Sequence, residues 1–202
     1  MPRRILVGMI ERLARWLGSG TREAYELRGI PVAVENTRED IATADVLARL
    51  DEALALIERH QPRRLRHLRR DLARIRISRF PCRGAYFPAE RTCLTELTFL
   101  ARRDISAAPV AASIVHEGVH ARVHRMGERL GLRPNVADRA REERLCREAE
   151  LDFGRALPPA LGAPVVERAL GSLALADDEV APAIDWRVAL ARQEAIDRQA
   201  GS

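Results

Sequence analysis

The sequence predicts an α+β fold, mostly helical, with a small sheet placed ahead of one central helix. Three observations predict it. Most of the chain repeats its apolar residues at helical spacing. Two stretches that adjoin just before the central helix read instead as strands. The composition, 47% hydrophobic and 31% charged with 4% aromatic residues, describes a globular protein whose core is filled by aliphatic side chains. At 202 residues one core can enclose the chain, so residues 1–157 form the main body and 158–202 a C-terminal helical extension packed on the same domain.

The elements follow in order. Ile5, Met9, Leu13 and Trp16 or Leu17 share one side of an N-terminal amphipathic helix that Gly18 and Gly20 end. Residues 31–34 (PVAV) suggest a short strand. Val46, Leu47, Leu50, Leu54 and Ile57 place a helix over 44–59, stopped at Pro62, and another helix follows over 63–72. Residues 73–78 (ARIRIS) alternate as a strand and 91–100 (RTCLTELTFL) form a second, with the turn-rich CRGAYFPAE between them. Pro109 opens the central helix, which runs to about Met126. Residues 137–157 give the next helix, with Leu145, Cys146, Ala149, Phe153 and Ala156 on its apolar side. LPPALGAP (157–164) interrupts the chain before two further helices, near 165–175 and 184–199.

Composition narrows the function classes. All 34 basic residues are arginine, a skew that reads as coding bias, and with 29 acidic residues the net charge of +5 says little about partners. Three cysteines without Cys-x-x-Cys spacing imply neither a disulfide framework nor a cysteine zinc knuckle, and read as reduced thiols. Glu11, Arg12 and Arg15 interrupt the first apolar run, which argues against a signal peptide. No uncharged run reaches the ~18 residues of a membrane helix. A cytoplasmic location is expected.

The central helix carries SIVHEGVHARVH, residues 113–124. On a helix His116 and His120 differ by about 40° around the axis and about 6 Å along it, so both imidazoles can converge on one ion. Glu117 lies to one side of the pair, close enough to reach a water on that ion without being a ligand. Gly118 points away from the ion, and a glycine in mid-helix implies a neighbour pressed against that back face. His124, two turns beyond His116, stands too far along the axis to join the same ion.

These residues form the HExxH pattern, and in them the chain resembles the zincin metallopeptidases; the resemblance covers residues 73–157. It implies a minimal zincin-like core, a Zn²⁺ cofactor, Glu117 as the general base, a peptide or protein substrate, and a strand before the helix that pairs with extended substrate, a role falling on 91–100. The longer HExxHxxGxxH form is absent, since Val123 and Met126 stand at its glycine and last histidine. No histidine follows His124, so a downstream third ligand is a carboxylate or Cys146. The gluzincin branch takes a glutamate from a later helix, often with a small residue three positions on. Glu143 followed by Cys146 matches that form, with Glu142 and Glu150 as alternatives and Glu150 also able to orient a ligand histidine. Glu148 and Asp152 sit among Arg141, Arg144 and Arg155 on a solvated face.

After Glu117 the chain has no tyrosine, and no histidine beyond His124, for the oxyanion, which leaves Arg122, another arginine or Tyr86 for that task. Two other readings compete. Arg63, Arg64, Arg66, Arg69, Arg70, Arg74, Arg76 and Arg79 could form a nucleic-acid-binding module, but aromatic stacking residues are missing from the run and nucleic acid is an unlikely partner. Zinc could instead tie two helices together without catalysis.

Overall fold

A computed structural model of the chain describes residues 23–132, 139–181 and 185–200. The N-terminal helix expected over the first residues lies outside them. The fold is α+β: a five-stranded mixed sheet followed by helices.

Strands β1 (Glu23–Leu27) and β2 (Ile30–Glu35) form an antiparallel hairpin. Arg28 and Gly29 link them at φ 48° and 71°, the two positive angles that a tight hairpin turn requires. Sequence reading recovered only the middle of β2. The chain then forms α1 (Thr43–His60), which buries Val46, Leu50, Ala53, Leu54 and Ile57. Helix α2 (Pro62–Asp71) starts on a proline, whose fixed φ and missing N–H suit a first helical position.

Strand β3 (Arg74–Ser78) runs parallel to β2 and sends Ile75 and Ile77 into the core. The next stretch corrects the sequence reading twice. The CRGAYFPAE segment is not all turn, because Gly84–Phe87 forms β4. The strand expected over 91–100 is β5 (Thr92–Glu96), and the chain bends at once into α3 (Leu97–Ala101). Glu96 makes that switch: its Oε2 accepts the Phe99 N–H at 2.7 Å, capping the helix.

The strand order is β1-β2-β3-β5-β4, with β5 parallel to β3 and β4 antiparallel to β5. β5 is therefore bonded on both sides and cannot take up another strand. Among the described residues the open edge beside the next helix belongs to β4.

That helix, α4 (Ala108–Arg129), buries Val110, Ala111, Ile114 and Val115 among the side chains of the sheet and α1. The neighbour behind Gly118 is Leu68 of α2, whose Cδ2 would lie 2.5 Å from an added Cβ. Helix α5 (Arg139–Ala156) packs across α4 and buries Cys146, Ala149, Glu150 and Phe153. Leu145, read as part of that apolar side, is 45% exposed.

Helix α6 (Pro159–Leu173) begins inside the stretch expected to be a break and carries Pro164 within it. It lies against α5, where a Cβ on Gly162 would sit 2.2 Å from the Gly154 carbonyl oxygen. The short α7 (Asp177–Val180) and α8 (Trp186–Ala200) complete the described chain. Among the described residues no helix is long and apolar enough to cross a membrane.

Candidate metal centre

The helical repeat turns His116 and His120 of α4 toward α5, and the packing of those two helices supplies the rest of the centre. Their Nε2 atoms stand 3.2 Å apart. The Glu143 carboxylate faces both, with Oε2 3.3 Å from His116 Nε2 and Oε1 3.5 Å from His120 Nε2.

The remaining ring nitrogens are held by carboxylates. His116 Nδ1 donates to Glu150 Oε1 at 2.7 Å, and His120 Nδ1 donates to Glu142 Oε1 at 2.6 Å. A carboxylate can only accept, so each Nδ1 carries the proton and each neutral ring turns its Nε2 lone pair inward. Two lone pairs and an anionic carboxylate then face one point, an arrangement that repels itself unless a cation or protons stand between them. An ion with bonds of about 2.0–2.1 Å needs donors about 3.3 Å apart for tetrahedral coordination. The separations here are of that size, so the donor set fits a small divalent ion.

Cys146 is a further donor. One ligand atom from each of His116, His120 and Cys146 lies within 4.8 Å of the others, a group that could hold a metal ion. The thiol is fully buried, and burial raises its pKa to about 11 against the opposing pull of His120. Cys146 and Glu143 stand three residues apart on α5 and compete for the third position. Glu143 sets one oxygen against each inward Nε2, and its carboxyl is already ionised: burial opposes ionisation, but hydrogen bonds from His116 and His120 outweigh it.

The three glutamates left open by helical angles thus occupy three different places: Glu143 before the Nε2 pair, Glu150 behind His116 and Glu142 behind His120. Glu148 is exposed and Asp152 pairs distantly with Arg64 at 3.9 Å, both away from the centre. His124 stacks edge-on against Tyr86 at 6.2 Å and has Nδ1 3.6 Å from Glu128.

Glu117 is buried, and its carboxylate has no hydrogen-bond partner among the described residues. Burial raises its pKa, His116 and His120 lower it, and Glu143 and Glu150 raise it further. Gly84 on β4 presses close: a Cβ there would lie 2.8 Å from Ser113 Oγ and 3.1 Å from Glu117 Oε1. Sequence reasoning missed this contact, and a four-residue GAYF among turn residues carries no alternation that would reveal it.

These groups line an open cleft of about 1190 Å³. Tyr86 and His124 border it; Arg122 does not, and lies instead toward His67 and Asp71 of α2. Arg122 is therefore removed from the candidates for an oxyanion. The arginine-rich run is partly neutralised, since Arg64, Arg69, Arg70, Arg76 and Arg79 face Asp152, Glu58, Asp71, Glu35 and Glu96. Such pairing reduces the charge free for phosphates. Comparison with family models, with curated proteins and with solved structures returned no match.

Proposed function

We propose that the protein is a zinc-dependent hydrolase of the HExxH type, acting on peptide bonds, with His116, His120 and Glu143 as metal ligands and Glu117 as general base. One observation carries this reading: three donor groups turned toward a common point at tetrahedral spacing, beside an unpartnered carboxylate in an open cleft. Zinc bound there would supply Lewis acidity, lowering the pKa of a water in its open position and polarising the substrate carbonyl.

The chain's own groups do the rest. Glu150 and Glu142 fix both imidazoles in the tautomer that presents Nε2. Glu117 takes a proton from the attacking water at a carboxylate oxygen and passes it to the leaving amine, so that the C–N bond breaks as an N–H bond forms. Its raised pKa suits both halves of that exchange. The open edge of β4 supports an extended substrate, because a peptide can add there as a further strand beside α4. This replaces 91–100 in that role.

Cys146 favours a second reading. A thiolate added to the two histidines and Glu143 would close the coordination sphere, leaving no position for water and making the ion structural.

Zinc analysis beside a peptide-library assay separates them. The hydrolase reading expects about one zinc in wild type and in Cys146→Ser and its loss in Glu143→Ala. It also expects hydrolysis that falls by about 100-fold or more in Glu117→Gln while zinc stays bound. Wild type without zinc, or full activity in Glu117→Gln, overturns it. Zinc that is lost in Cys146→Ser, from a protein that hydrolyses nothing, establishes the structural site instead.

A further inference from the structure

The two ends of the cleft differ in chemistry. Along α4 its wall is apolar, with Met126 49% and Leu130 67% exposed. At the other end stand three guanidinium groups, on Arg83, Arg147 and Arg168, and the Glu150 carboxylate, which pairs with the last two. Glu150 Oε1 accepts from Arg147 Nη1 at 2.7 Å as well as from His116, and Glu150 Oε2 accepts from Arg168 Nη2 at 3.0 Å. That single buried anion is saturated by groups already present.

The arginines around it are not. Arg147 Nε is buried with no hydrogen-bond partner. Arg83 has no hydrogen-bonded acidic partner among the described residues: its guanidinium lies 5.2 Å over the Phe99 ring, and the nearby charges are the like charges of Arg168 and Arg102 and the Glu150 carboxylate, which Arg147 and Arg168 already hold. Arg102 is itself held by Asp104, so it adds little net charge. Arg83 also stands immediately before β4. A peptide laid along that strand would bring one of its ends to the unneutralised cations.

We propose that this arginine end, with Arg83 as its open member, receives a carboxylate of the substrate. The preferred substrates are then peptides with a negative group close to the cleaved bond. A guanidinium presents paired N–H donors in a plane that matches a carboxylate, which a neutral amide uses less well. The proposal rests on the hydrolase reading, and it concerns recognition alone.

The test is binding to zinc-loaded protein of three hydroxamates built on one succinyl scaffold: succinyl-Leu with a free carboxylate, succinyl-Leu amide, and succinyl-Asp amide. The hydroxamate anchors each to the metal, so affinity differences report the other end. One or both acidic ligands should bind about tenfold or more tighter than the neutral one, and the preference should fall to below about threefold in Arg83→Gln. A preference for the free carboxylate identifies a chain terminus as its source, and a preference for the aspartate an acidic side chain. Equal affinity for all three, or a preference unchanged in Arg83→Gln, overturns the proposal and leaves the metal centre standing. Failure of every hydroxamate to bind overturns the metal reading, and this one with it.

Discussion

Glu117 and Gly84 meet at the point where the smallest change has the clearest consequence. The carboxylate is held by no hydrogen bond from a described residue, and Gly84 forms part of the wall against it. Replacing Gly84 with alanine places a methyl group 2.8 Å from Ser113 Oγ, closer than side-chain carbons approach, and 3.1 Å from Glu117 Oε1, a tight contact. Something must shift, and the Ser113 hydroxyl and the Glu117 carboxylate are the movable parts. On the proposed hydrolase reading, Gly84→Ala lowers peptide hydrolysis by about 10-fold or more through misplacement of the base, with zinc content unchanged. Loss of zinc along with activity would place the effect in the ligands instead. At this scale the sequence was legible as far as one helix reaches: spacing alone set His116, Glu117 and His120 on their faces. It could not choose among Glu142, Glu143 and Glu150, because that choice depends on how α5 crosses α4. Nothing in the local sequence encodes that angle.

Glycine also sets the geometry between α5 and α6. Gly154 and Gly162 let the two backbones touch, and a Cβ at Gly162 would meet the Gly154 carbonyl oxygen at 2.2 Å, a backbone atom that cannot rotate away. Gly162→Ala should destabilise the fold by about 1–3 kcal/mol or more, seen as a lower denaturation midpoint. Because α6 carries Arg168 to Glu150, the same variant should also weaken zinc binding, whereas a purely local strain would leave it intact. Helix existence was legible from periodicity in each of these elements, and boundaries failed where side-chain chemistry overrode it. The strand through RTCLTELTFL ends at Glu96 because that side chain caps α3. LPPALGAP reads as a break, yet α6 starts at its second proline, where an N-terminal proline is well tolerated, and keeps Pro164 near its first turns. The strand β4 was hidden inside a segment rich in turn residues, and its importance as the open edge followed only from the sheet order.

Across the whole molecule the sheet and α1 fix the back of α4, and α5 and α6 close over its front, so the centre sits where the two halves of the chain meet. A metal bound there would compete with protons for the same Nε2 lone pairs. Burial lowers the pKa of His116 and His120, but the facing groups outweigh it, led by Glu143 and Glu150 for His116 and by Cys146, Glu142 and Glu143 for His120, so both end up raised. A raised pKa means that protons are retained to higher pH, so zinc affinity should strengthen as pH increases. Binding should release protons from the histidine rings and none from Glu143, which is already ionised. Titration calorimetry in buffers of different ionisation enthalpy counts them. A Cys146→Ser variant that releases one proton fewer would mark the thiol, whose pKa stands at about 11, as a ligand of a closed site. The overall α+β arrangement could be read from the chain because period and composition agree over long stretches. The charge distribution in the cleft could not, since Arg83, Arg147 and Arg168 are distant in sequence.

The most direct measurement is anomalous diffraction at the zinc absorption edge from crystals of the zinc-loaded protein. The predicted result is one peak about 2.0–2.2 Å from His116 Nε2, His120 Nε2 and a Glu143 oxygen, with the fourth position open to solvent and facing Glu117. A peak bonded to Cys146 Sγ at about 2.3 Å with no open position, or the absence of any peak between α4 and α5, would contradict it.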